Sequence, residues 1–243
     1  ECWDGSSICD GECPSQYIDF SLNVNSGWNW ISINVEPCDL STSDCLEYDI
    51  AGNYDDFGGP LPDGEYNSHD MLINDVLGSL SSIADNLELG SAHIKSSYGY
   101  ADYYPNFGWF GSVDYIGIER GYKLLVNHNE DALSLDYSGV PASAAHHSID
   151  IFEGWNWIGY VPQESMTADL ALGSLTSVFG DYIKTFGSFG EYYEGFGWWG
   201  SNGDFFQMMP GRGYTFLSSN SGTLVYPENG SLGRFESTNP LNN

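Results

Sequence analysis

Gly27-Trp28-Asn29-Trp30-Ile31 returns as Gly154-Trp155-Asn156-Trp157-Ile158. Around these two stretches the rest of the chain falls into matching order. Gly78-Ser79-Leu80 returns as Gly173-Ser174-Leu175, and Ile94-Lys95 as Ile183-Lys184. Tyr103-Tyr104 with Phe107-Gly108-Trp109 returns as Tyr192-Tyr193 with Phe196-Gly197-Trp198, and Arg120-Gly121-Tyr122 as Arg212-Gly213-Tyr214. Blocks that recur in one fixed order mark a supersecondary unit present twice. This pattern points away from a single catalytic pocket and toward a protein that binds, adheres or assembles.

Between the blocks the local signals are mostly those of strands. Residues 17–35 alternate polar and apolar with aromatic and β-branched content, and Asn25-Ser26-Gly27 reads as a turn. Apolar residues keep helical spacing over 71–83 and 166–178, where Asp70 and Thr167 are the candidate caps. Strands are expected at 93–97 and 182–186, then a Tyr-Tyr to Gly-Trp hairpin, then strands at 121–126 and 213–217. The predicted fold is therefore mostly β, or α+β. It consists of two tandem copies of a small β-rich module with one short helix each, preceded by a disulfide-stapled cap.

The expected organisation is a cysteine-rich cap over 1–20, a first module over 21–141 with an acidic insertion at about 36–70, and a linker over 142–153. A second module follows over 154–227, with a polar tail over 228–243. The insertion is what separates Trp30 from Leu80 by so much more than Trp157 from Leu175, and long loops of this kind are usually functional or ordered by a metal.

Charge narrows the partners. Six Lys plus Arg stand against 34 Asp plus Glu, a net charge of -28. Such a field repels nucleic acid and anionic membranes. It favours cations, neutral glycans or further copies of the chain at high salt. No run of 18 apolar residues is present, so no membrane-inserted helix is expected. Cys2, Cys9, Cys13, Cys38 and Cys45 all fall in the first 45 residues, which suggests a local disulfide framework with one cysteine left over. A start at Glu1 followed at once by cysteines reads like a processed end, so an extracellular or cell-surface location is expected.

The Gly-Trp-Asn-Trp-Ile stretch, the helix ending in Gly-Ser-Leu, Ile-Lys, Tyr-Tyr, Gly-Trp-aromatic-Gly-Ser and Pro-Gly-x-Gly-Tyr together resemble a known repeat. That repeat occurs in tandem in large secreted or surface proteins of marine bacteria and phytoplankton. The leading Cys-Trp-Asp-Gly-Ser looks like the cysteine segments that separate such repeats. The resemblance implies an extracellular module of a structural or adhesive protein. The first copy departs from it at Ile118-Glu119-Arg120, where the second has Pro210-Gly211-Arg212, and in the insertion.

Four groups of residues are candidates for function. Tyr103, Trp109 and Phe110, matched by Tyr192, Trp198 and Trp199, form a candidate ligand or assembly surface, because aromatic rings stack on sugars and give large contact areas. Lys95 with Lys184 and Arg120 with Arg212 are expected to form structural ion pairs, with Asp102 and Glu191 as candidate acids. Asp44, Glu47, Asp49, Asp55 and Asp56 are dense enough to hold calcium, although their spacing is not that of an EF-hand. Asn229-Gly230-Ser231 is a glycosylation sequon. The five histidines have no matched counterparts, and no nucleophile elbow, zincin or phosphate-loop motif is present. The expected function is a non-enzymatic extracellular structural or adhesive repeat protein, such as a self-assembling subunit of a surface layer or filament, with carbohydrate binding as the alternative and a secreted glycoside hydrolase behind it.

Overall fold

The computed structural model describes residues 18–36, 71–78, 80, 92–128, 133–142, 144 and 147–227. The fold is mostly β, built from antiparallel sheets. In the first half lie β1 (Ile18–Val24), β2 (Gly27–Ile31), β3 (Val35–Glu36) and β4 (Met71–Leu72), then α1 (Ile73–Val76). They are followed by β5 (Ala92–Lys95), β6 (Tyr100–Tyr104), β7 (Gly108–Gly111), β8 (Tyr115–Ile116), β9 (Tyr122–Val126) and β10 (Leu133–Pro141). The second half holds β11 (Ile149–Ile151), β12 (Gly154–Ile158), β13 (Met166–Thr167) and α2 (Ala168–Ala171). After these come β14 (Tyr182–Thr185), β15 (Ser188–Tyr193), β16 (Gly197–Gly200), β17 (Gln207–Met208), β18 (Tyr214–Ser218) and β19 (Gly222–Leu224).

Two five-stranded sheets dominate, in the orders β2-β9-β5-β6-β7 and β12-β18-β14-β15-β16. Smaller pairs accompany each: β4 with β8 and β1 with β10 in the first half, β13 with β17 and β11 with β19 in the second. β3 pairs with the end of β10. Ile149–Ile151 lies inside the stretch expected as a linker and is instead a strand, held to Gly222–Leu224.

Among the described residues α1 and α2 are single turns; α2 is shorter than the predicted 166–178, while within the predicted 71–83 Gly78 and Leu80 are helical beyond α1. Met71–Leu72 and Met166–Thr167 pair as strands with Tyr115–Ile116 and Gln207–Met208, so cross-strand hydrogen bonds win over helical spacing at these ends. Thr167 caps α2 as expected, its side chain accepting from the Leu170 N–H. The Gly173 N–H then bonds to the Leu170 carbonyl and closes the turn. Asp70 and all five cysteines lie outside the described residues, as do Asp44, Glu47, Asp49, Asp55, Asp56, Asn229 and the 36–70 insertion beyond Glu36.

Each large sheet turns one face inward. Ile31, Ile94 and Leu124 from the first sheet and Ile158, Ile183 and Phe216 from the second belong to one continuous hydrophobic cluster. The sheets meet by reciprocal backbone contacts. The Ser32 N–H bonds to the Gly211 carbonyl and the Gly213 N–H to the Trp30 carbonyl. Across the junction, the Gly159 N–H bonds to the Glu119 carbonyl. A methyl group at Gly121 would come within 3.0 Å of the Ile158 carbonyl oxygen, and one at Gly213 would press on that of Ile31. The repeated Arg-Gly-Tyr block is therefore the point where one sheet's backbone rests against the other's, and glycine is the residue that allows it.

Candidate binding face

The outward face of the sheets starts from the local chemistry of Gly-Trp-Asn-Trp. Gly27 and Gly154 both have φ of 99°, in the left-handed region that favours glycine. The asparagine that follows locks the turn. Asn29 accepts from the Asn25 N–H and donates to the carbonyls of Asn25 and Gly27, while Asn156 does the same with Phe152 and Gly154. With Asn29 and Ile31 directed inward, strand alternation turns Trp28 and Trp30 outward, and Trp155 and Trp157 follow the same rule. Trp28 is 36% exposed and Trp155 52%.

Register then builds a ladder across each sheet. Trp28, Leu125, His93, Asp102 and Phe110 stand opposite one another in the first, and Trp155, Leu217, Tyr182, Glu191 and Trp199 in the second. The neighbouring ladder runs Trp30, Lys123, Lys95, Tyr100 in the first sheet and Trp157, Thr215, Lys184, Phe189 in the second. Stacked pairs reinforce it: His93 on Tyr100 and Tyr182 on Phe189, with Trp28 and Trp155 edge-on to His93 and Tyr182.

Lysines lie over these tryptophans. Lys95 Nζ is 5.4 Å from the centroid of Trp28, and Lys184 Nζ is 4.6 Å from that of Trp155. Lys123 Nζ sits 4.1 Å from Trp30 and 4.3 Å from Trp157, so one ammonium is held between equivalent rings of the two sheets. Partial burial pushes the Lys123 pKa down, and the positive charges of Lys184 and Lys95 push it further. Three of the six basic residues are thus gathered on one face of a chain with net charge -28.

The structure separates the sequence candidates. Trp109, Trp198 and Tyr103 are core residues rather than surface, and Tyr192 packs half-buried against them. Phe110 and Trp199 face solvent. The adjacent pair Trp198 and Trp199 splits at 1% and 42% exposed, as the alternation of a strand requires. Among the described residues, Lys95 and Lys184 contact tryptophan rings in place of the expected carboxylates. Asp102 is bonded to His93 Nδ1, and Glu191 accepts from the Tyr193 hydroxyl. Arg120 lies over Tyr98 and donates to its hydroxyl, while Arg212 is exposed beside a cleft.

Lys123 was not legible as a site residue because its counterpart is Thr215, so the repeat comparison passes over it. Two His–carboxylate pairs were missed for the same reason: His93–Asp102, and His147–Glu119 at 2.7 Å with His147 fully buried. The cleft, of about 350 Å³, lies between the first strands and the second sheet. Trp30, Arg212, Thr185 and the polar side chains of Ser21, Asn23 and Asn25 line it.

Among the described residues, no group of three His, Cys, Asp or Glu is placed to hold a metal ion, and no helix is long and apolar enough to cross a membrane. No family model matches the chain, and no curated protein and no solved structure matches it either.

Proposed function

We propose that this is a non-enzymatic extracellular adhesive protein made of two copies of one β-rich module, and that it holds carbohydrate on the outward faces of its sheets. The observation that carries this reading is the matched pair of exposed tryptophans, Trp28 and Trp155. Each is fixed by the same asparagine-locked turn and each carries a lysine. Rings presented rigidly from strands stack on sugar faces at little cost in conformational entropy. Two such platforms in one chain give avidity on a polymer or a cell surface without a deep pocket.

Retention of the full chain on insoluble cellulose, chitin and agarose tests the reading. The expected outcome is binding to at least one of them, and its loss in the double variant Trp28→Ala, Trp155→Ala with unchanged circular dichroism. Unchanged retention in the double variant would remove these tryptophans from the reading.

A second reading, self-association, is favoured by the hairpin tips. Phe107 and Phe196 are 75% and 77% exposed at equivalent positions. Large apolar groups left in water at two matched places suit contacts between copies. The acidic residues Asp44, Glu47, Asp49, Asp55 and Asp56 add oxygen ligands through which calcium would screen repulsion between chains of net charge -28. Light scattering across concentration at seawater ionic strength, with calcium and then with EDTA, separates the two readings. Growth reversed by EDTA and abolished by Phe107→Ser with Phe196→Ser marks assembly, and a constant monomer rules it out.

A further inference from the structure

We propose that the carbohydrate recognised is acidic, a polysaccharide bearing carboxylate or sulfate groups, and that it lies along Lys95, Lys123 and Lys184 with one unit seated in the cleft beside Trp30 and Arg212. This rests on the glycan-binding reading above and names its substrate class.

Charge placement is the main argument. With only six basic residues in 243, chance would scatter them over an acidic surface. Instead Lys95 and Lys123 are direct cross-strand partners, and Lys123 reaches across to the second sheet's Trp157. Like charges opposite one another on a sheet are unfavourable; the tryptophan rings beneath Lys95 and Lys123 offset part of that cost, and an anion lying over both would offset more. Among the described residues the nearby carboxylates bond elsewhere rather than to these lysines, Asp102 to His93 and Glu191 to the Tyr193 hydroxyl.

The cleft supplies a second, independent feature. Its volume of about 350 Å³ is at the small end of ligand sites, and Trp30 is common to its wall and to the lysine group. Arg212 is exposed at its edge, and the rest of the wall mixes hydroxyl and amide groups (Ser21, Asn23, Asn25, Thr185) with apolar Leu22, Ile31 and Phe186. A planar guanidinium beside an aromatic ring and several neutral hydrogen-bonding groups suits a sugar ring carrying an anion. The remaining acidic surface does not preclude this. At physiological ionic strength charges beyond about 8 Å are largely screened, so the local lysines decide the interaction.

Calorimetry and tryptophan fluorescence of the full chain, titrated with polygalacturonate, dextran sulfate and uncharged dextran, test the proposal. The expected result is binding of one or both anionic polymers, tighter than dextran and weakening as sodium chloride is raised. The two anionic arms distinguish carboxylate from sulfate. The double variant Lys123→Gln, Lys184→Gln is expected to weaken that binding on the order of tenfold, while Lys184→Arg retains it. Circular dichroism checks that the variants fold. Equal binding of dextran, or an unchanged affinity in the double variant, overturns the acidic-ligand inference and leaves carbohydrate binding standing. No binding of any polymer here, together with no retention on the insoluble polysaccharides, removes both.

Discussion

At Gly213 the absence of a side chain is structural. The residue lies where the first sheet's Ile31 carbonyl and the Tyr122 amide meet the second sheet's backbone, and no flexible group stands there to give way. Gly213→Ala is therefore expected to destabilise the protein by about 2 kcal/mol or more, as overpacking against a backbone does. Urea unfolding followed by fluorescence would read it, and a shift below about 0.5 kcal/mol would contradict the close approach. Asn29 and Asn156 are the opposite case, where the side chain is the point. Each satisfies a turn's backbone groups, so their role depends on shape as well as polarity. Both kinds of residue stood out in the sequence because they recur, but their roles did not. Recurrence shows that a residue type is needed, and only the neighbour at the junction shows what it is needed against.

Between elements, each single-turn helix clamps the hairpin that follows. The Trp109 N–H donates to Asn74 on α1 at 2.8 Å, and the Trp198 N–H to the Asp169 carboxylate on α2 at 3.2 and 3.3 Å. Gly108 and Gly197, with φ of 92° and 86°, let the chain turn against these side chains. The short helices thus place a polar group under a hairpin whose indole is buried. Asp169→Ala leaves the Trp198 amide without that acceptor and is expected to cost about 1–3 kcal/mol. It should also shift tryptophan emission to the red, and an unchanged spectrum with unchanged stability would show the clamp to be idle. Apolar spacing predicted a longer second helix because periodicity cannot register the competing strand. Met166–Thr167 has helical neighbours in sequence but a β partner, Gln207–Met208, about forty residues on.

For the molecule as a whole, a tyrosine cluster beneath the junction sets its response to alkali. Tyr160 packs edge-on against Tyr214 and Tyr226, and the Tyr226 hydroxyl donates to the Gly159 carbonyl at 2.7 Å. Burial raises all three pKa values well above the ordinary tyrosine value of about 10, most completely at Tyr226. The unfolded chain releases these protons from about pH 10 upward while the folded chain keeps them. The folded state then binds more protons, and stability falls as pH rises through that range. Unfolding by circular dichroism is expected to coincide with a late, cooperative step in tyrosinate absorbance. Gradual ionisation of all tyrosines without unfolding would contradict the buried cluster.

The sequence by itself determined that the chain is strand-rich, that its blocks recur in order, that it is strongly acidic, and that aromatic residues dominate the recurring positions. These follow from local pattern, because alternation, turn glycines and repeated order are properties of neighbours along the chain. The tertiary structure decided which parity of each strand faces the core. That choice buried Trp109 and Trp198 and left Trp28 and Trp155 in solvent. It also decided that Lys123, which has no matching residue in the second half, stands between Trp30 and Trp157. Alternation defines two faces but cannot say which of them another sheet will cover. A contact between a lysine of one sheet and a tryptophan of another exists only once the two sheets have docked.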